Sequence, residues 1–199
     1  NLYSNGVQGG IVPIAAGMAL AEKRKGKDVS VTVFIGDGTF GEGVIYEAFN
    51  FASLWQLPLL IVIENNHIAQ TTPSELALAG SIKKRFEAFG IPAVELDTSD
   101  VLEISSEASQ LYAEIHENIS PRALILNTMR FGPHSKGDDT RSKEEVARMR
   151  LERDPLLISE SRLPVHEVAE VVRQVEEEVR VAFDSALADP PAVFPEAGS

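Results

Sequence analysis

The chain has no cysteine among its 199 residues. Disulfides and thiolate chemistry are therefore excluded, and an intracellular, bacterial-type cytoplasmic protein is the expectation. Positive charge is also scarce: 18 Lys and Arg stand against 30 Asp and Glu, a formal net charge of −12. A surface of that sign argues against nucleic acid or an anionic membrane as partner, because both call for basic patches. No apolar run approaches the roughly 20 residues of a membrane-spanning helix. No signal-peptide pattern is visible, and the sequence opens on Asn1 rather than Met, so N-terminal targeting is left open. Internal repeats and low-complexity tracts are missing too. What is present is 44% hydrophobic residues, enough to bury one good core.

The most ordered pattern runs from Ser30 to Pro73. Val31 to Ile35 is a β-branched run that stops at Gly36-Asp37-Gly38, as a buried strand running into a tight turn would. From Glu42 to Trp55 the apolar residues Val44, Ile45, Ala48, Phe49, Ala52 and Trp55 recur at helical spacing. Pro58 opens a second apolar run, Leu59 to Ile63, which ends at Glu64-Asn65-Asn66. Strand, helix, strand at these lengths is a βαβ unit, so the two strands are expected to be parallel.

Parallel neighbours end on the same side of a sheet, which brings Asp37 and Asn66 to one edge. That carboxyl edge is where open α/β sheets bind ligands. A carboxylate, an amide oxygen and loop carbonyls suit a hard divalent cation such as Mg²⁺, which takes its remaining oxygens from water and phosphates. Gly36 and Gly38 leave room for a phosphate to approach the backbone. Taken singly, an Asp-Gly turn and an Asn-Asn loop are commonplace; their joint placement after two buried strands is what makes them specific.

The stretch GDGTFGEGVIYEAFNFASLWQLPLLIVIENN resembles the thiamine diphosphate motif, GDG followed by NN. In wording it is similar to the α subunit of the E1 component of 2-oxo acid dehydrogenase complexes, the pyruvate, branched-chain and acetoin group. The likeness extends over nearly all of the chain. It implies an α/β fold, a parallel sheet covered by helices on both faces, with a C-terminal helical extension. The expected organisation is one domain: a cofactor-binding α/β part over 1–154, lacking its N-terminal portion, and a helical extension and tail of the same domain over 155–199.

The rest of the chain reads as follows. Asn1 to Gly10 is a glycine-rich entry to a helix from Ile11 to Lys25, with Pro13 in its first turn. By the resemblance, Gly6 and Gln8 lend backbone groups to the aminopyrimidine ring of thiamine diphosphate. His67 to Pro73 reads as a loop, with His67 solvated; the resemblance makes the Ile68 carbonyl a third metal ligand beside Asp37 and Asn66. Ser74 to Phe89 reads as one helix stopped by Gly90, with Lys83, Lys84 and Arg85 on a solvated face. Ala93 to Leu96 is a strand, Val101 to Asn118 a helix capped by the Asp97–Asp100 segment, and Arg122 to Met129 a fourth strand. Ser142-Lys143-Glu144-Glu145 opens a helix to about Arg150. A valine stripe from Val165 to Leu187 marks a long amphipathic helix read as packing, internal or at a subunit contact, before a proline-containing tail from Asp189 to Ser199.

Arg130 to Thr140 (RFGPHSKGDDT) leaves a strand end and is too polar for core, so it belongs to the same edge as Asp37 and Asn66. A lone loop histidine is usually unremarkable. By the resemblance, however, His134 matches an active-site histidine beside the diphosphate that helps hand the acyl group on. Arg130 matches an arginine that keeps the loop in shape, and Ser135 matches a position phosphorylated in some eukaryotic members. Arg153-Asp154-Pro155 is likewise similar to E1 α sequences.

The implied chemistry is oxidative decarboxylation of a 2-oxo acid, with Mg²⁺ anchoring thiamine diphosphate and the Gly38–Thr39 turn donating N–H groups to its phosphates. The implied partners are an E1 β-type subunit that supplies an activating glutamate, an N-terminal α segment or chain, and a lipoyl-bearing E2. The chain alone is expected to be inactive. Two other classes stay open: another thiamine diphosphate enzyme, such as a split transketolase-like protein, and a non-catalytic cofactor-binding scaffold subunit.

Overall fold

In the computed structural model, residues 2–135, 137 and 139–191 are described. The elements, in chain order, are α1 (Gln8–Arg24), β1 (Val31–Gly36), a 3-10 turn (Asp37–Gly41), α2 (Val44–Leu54), β2 (Leu59–Asn65), β3 (Ile68–Ala69) and β4 (Thr72–Pro73). A second 3-10 turn (Ser74–Leu76), α3 (Ile82–Ala88), β5 (Ala93–Leu96), α4 (Val101–Asn118), β6 (Arg122–Asn127), α5 (Lys143–Arg153), α6 (Pro155–Glu160) and α7 (Val165–Ala188) follow. The chain divides into two compact units, Asn1–Pro155 and Leu156–Ser199. Most of the expected tail, residues 192–199, lies outside the described residues, as do Asn1, Lys136 and Asp138.

The first unit is built on a four-stranded sheet in the order β1-β2-β6-β5, parallel at every pairing. Alternation along β2 divides its core. Leu59, Ile61 and Ile63 point into a large cluster with Val12, Ala15, Ala16 and Ala19 of α1, with Ile45, Ala48, Phe49 and Ala52 of α2, and with Phe86 of α3. Leu60 and Val62 point the other way, against Leu111 and Ile115 of α4 and Leu124 of β6. Helices therefore cover both faces, as the continuous apolar runs of β2 and β6 require. At the sheet edge β1 departs from this: Val33 and Ile35 are buried, but Phe34 on the opposite face is 59% exposed.

Three expectations about elements need correction. Helix α1 begins at Gln8 rather than Ile11, so Pro13 sits in its interior instead of its first turn. The early start is held by a distant residue, since the Gly9 N–H donates to Glu42 Oε1 at 3.1 Å. A Cβ on Gly9 would lie 2.1 Å from that carboxylate, so a larger residue there would push the Glu42 side chain out of its capping position. The span from Ser74 to Phe89 is a 3-10 turn and a separate short helix, because Ser81 caps α3 by accepting from the Lys84 N–H. The loop after Asn66 contains the small antiparallel hairpin β3–β4.

Two further differences are smaller. Helix α5 runs on to Arg153, with Ser142 accepting from the Glu145 N–H as its cap. Arg85 is not on a solvated face. Its guanidinium donates to the Phe40 and Ala79 carbonyls and to the Tyr46 hydroxyl, and it lies 5.6 Å from the Tyr46 ring centre. In the second unit, α7 carries its apolar stripe on the surface: Val171, Val175, Val179, Phe183 and Leu187 are all exposed. Its polar positions are tied along the helix by pairs such as Arg173–Glu170 and Arg180–Glu177.

Candidate functional site

Register sets the geometry of the carboxyl edge. Gly36 pairs with Glu64, so β1 and β2 reach the edge together and deliver Asp37 and Asn66 from neighbouring tips. Asp37 opens the 3-10 turn and is only 3% exposed. A carboxylate so buried needs hydrogen bonds, and one comes from the Ser74 hydroxyl, which donates to Oδ2. Asn66 Oδ1 accepts from the Ile68 N–H at 3.1 Å, which folds the chain back into β3. The Ser74 N–H donates to the His67 carbonyl at 3.0 Å and closes that hairpin. In that hairpin Ile68 pairs with Pro73 and Ala69 with Thr72.

The hairpin presses on the turn. A Cβ on Gly38 would come within 2.6 Å of the Ala69 Cβ, so this close approach demands glycine. From the other side, Gln8 Oε1 accepts from the Gly36 N–H at 2.7 Å and from the Thr39 hydroxyl at 2.9 Å. Gln8, expected to act through its backbone alone, thus uses its side chain to tie the start of α1 to the turn. Gly6 lies just ahead, exposed and with open space around it. Tyr46 donates to the Phe40 carbonyl at 2.6 Å and, with Arg85, satisfies the far end of the turn.

The Arg130–Thr140 segment leaves β6 at the same edge. His134 is exposed on it, on a separate loop from Asp37, Asn66 and Ile68, which the structure brings together. Arg141 shapes this loop: its guanidinium donates to the Arg130 carbonyl at 2.7 Å, to the Gly132 carbonyl at 3.1 Å and to both oxygens of Asp139. The hydrogen bonds from Arg141 hold the Asp139 carboxyl down from an ordinary 3.8 to about 2. The Nε and Nη2 atoms of Arg130 are buried without a hydrogen-bond partner among the described residues.

Behind the loop, Arg153 donates to the Asn127 carbonyl at 2.8 Å and to Asp97 Oδ1 at 2.6 Å, anchoring the end of α5 to the strand tips. Asn65 donates to Asn127 Oδ1 at 2.7 Å, and Asn127 to Glu95 Oε1 at 3.1 Å, linking the ends of β2, β6 and β5. Ser74, Glu42, Arg141 and Asn127 were not singled out from the sequence. Each acts on a residue distant in the chain or across a loop, and nothing in its immediate neighbours signals that.

The donor set fits a hard cation and a phosphate: one buried carboxylate, one amide oxygen and the carbonyls of a loop, beside a glycine turn. The sequence profile of the dehydrogenase E1 component family matches residues 2–193. The chain belongs to that family. Among E1 proteins, it is 35% identical to the pyruvate dehydrogenase E1 component subunit alpha of Rickettsia felis, over 96% of this chain and 63% of that one. It is 35% identical to the subunit of the same name in Zymomonas mobilis, over 92% of this chain and 54% of that one. With the mitochondrial somatic form of that subunit from Bos taurus it shares 33% over its whole length and 53% of the relative's. The chain thus spans somewhat over half the length of these relatives. Among solved structures, a transketolase from Campylobacter jejuni matches 62% of this chain and 20% of its own, with a TM-score of 0.55 and 28% identity.

Proposed function

We propose that this chain acts as an E1 α-type subunit in the oxidative decarboxylation of a 2-oxo acid. In this reading it holds Mg²⁺ and thiamine diphosphate at an interface with a β-type subunit, and the acyl group passes to a lipoyl group on a separate E2 chain. The observation that carries it is the buried Asp37 carboxylate beside Asn66, at the tips of two adjacent parallel strands.

Each residue then has a task. Asp37, the Asn66 amide oxygen and the Ile68 carbonyl take the cation. The turn at Gly36 and Gly38 would admit the diphosphate to the backbone, with the N–H groups of Gly38 and Thr39 as donors to it. Gly6 and the Gln8 backbone would hold the aminopyrimidine. When bound, thiamine diphosphate supplies the electron sink for decarboxylation. His134 holds or delivers a proton during acyl transfer, and Arg130, whose buried Nε and Nη2 have no partner among the described residues, supports that loop. The partner subunit supplies the activating glutamate, and a preceding α segment completes the grip. The location is cytoplasmic, and Ser135, exposed next to His134, occupies the position modified in some eukaryotic relatives.

A transketolase-like activity is the second reading, favoured by the structural likeness to the Campylobacter jejuni enzyme. The loop carrying Arg130 and His134 has no purpose in that reading. The deciding experiment is calorimetry of thiamine diphosphate binding to the assembled enzyme, with and without Mg²⁺. Asp37→Asn is expected to abolish the cation-dependent part; unchanged affinity would overturn the assignment.

A further inference from the structure

Asp37 and the hairpin that follows Asn66 come from different parts of the chain, yet the proposed cation site needs both in a fixed relation. One residue touches each. The Ser74 hydroxyl donates to Asp37 Oδ2, while the Ser74 N–H donates to the His67 carbonyl at 3.0 Å. The second bond closes the hairpin that carries Ile68, and the turn into that hairpin is made by Asn66 Oδ1. Ala69 of the same hairpin fills the place a Cβ on Gly38 would take, so the hairpin packs directly against the turn.

We propose that Ser74 is a positioning residue for the cation site, setting the rotation of the Asp37 carboxylate and the seat of the Ile68 carbonyl together. A hydroxyl has one proton to give, so it engages one carboxylate oxygen and leaves the other for a ligand. The neighbouring hydroxyl cannot substitute, because Thr39 Oγ1 is already committed to Gln8 Oε1 at 2.9 Å. The inference rests on the reading of Asp37 as a cation ligand. It adds that a residue outside the ligand set determines how that ligand is presented. Partners of this kind typically change metal affinity about 10- to 100-fold when removed.

The test uses Mn²⁺ in place of Mg²⁺, titrated into the assembled enzyme with thiamine diphosphate and followed by electron paramagnetic resonance. Ser74→Ala is expected to weaken Mn²⁺ binding by about 10- to 100-fold and to alter the line shape of the bound ion. Ser74→Thr, which keeps the hydroxyl, restores both. Ser74→Cys, close in volume but a weak donor, gives the same loss as Ser74→Ala and serves if the alanine variant fails to fold. Wild-type affinity and line shape in Ser74→Ala or Ser74→Cys, with only a lower melting temperature, would overturn the inference while leaving Asp37 as ligand. Undiminished Mn²⁺ binding in Asp37→Asn would instead remove the site reading itself, and the role of Ser74 with it.

Discussion

Gly38 shows how a single residue type links sequence to the site. Its place between a strand and a helix is visible in the run of residues, where access for a phosphate is one reason for a glycine. The structure adds a second reason, the Ala69 methyl 2.6 Å from where a side chain would begin. Gly38→Ala is therefore expected to destabilise the protein by about 1–3 kcal/mol, the usual cost of overpacking. Pairing it with Ala69→Gly should recover most of that loss in urea unfolding; a double variant no more stable than Gly38→Ala would exclude this contact as the cause. Gly36→Ala is expected to cost less, since its new Cβ would meet only Gln8 Oε1, at 3.3 Å, on a side chain that can move. Asp37 and Asn66 were readable because their identity and order carry the chemistry. Ser74 was not, because a serine after a proline looks like any turn residue.

Elements were read well where their ends are marked locally and poorly where a distant group marks them. Ser142 and Asp100 accept from Glu145 and Leu102 N–H groups, and both helices start where those caps predict. Helix α1 starts early because Glu42, far along the chain, satisfies its first turn. The loop between β6 and α5 is likewise organised from its far side, by Arg141. Because the Asp139 carboxyl is held at about 2, below its ordinary 3.8, its contribution to loop order is complete above that ordinary range. It is lost as the pH falls toward 2. Protection of the amides in the loop between β6 and α5, measured against intrinsic exchange at each pH, should hold down to about pH 4 and fall below it. At neutral pH, Asp139→Asn should open the same segment to trypsin, and an unchanged digestion pattern would show that the pair does not order the loop.

At the scale of the whole chain, two apolar surfaces stand out: Phe34 on the outer strand and the valine stripe of α7, where Phe183 is 64% exposed. Both belong to a chain with a net charge of −12 that spans little more than half of its pyruvate dehydrogenase relatives. The proposed function places the complete active site between subunits. The purified chain should accordingly show no 2-oxo acid-dependent dye reduction, and activity should appear when a β-type subunit and the preceding α segment are supplied. Turnover by the chain alone would contradict the shared-site reading.

The order of residues was enough to establish the parallel α/β architecture, the two strand ends that carry Asp37 and Asn66, and the family. The first two rest on local periodicity and on residue types that act in place, and the family on the resemblance carried by the stretch from Gly36 to Asn66. The hairpin after Asn66, the clasp from Ser74 to Asp37, the tie from Gln8 to Gly36 and the hold of Arg141 on its loop emerged only on folding. They join groups separated along the chain or across a loop, and which donor meets which acceptor is settled by register and packing that no short stretch of sequence records.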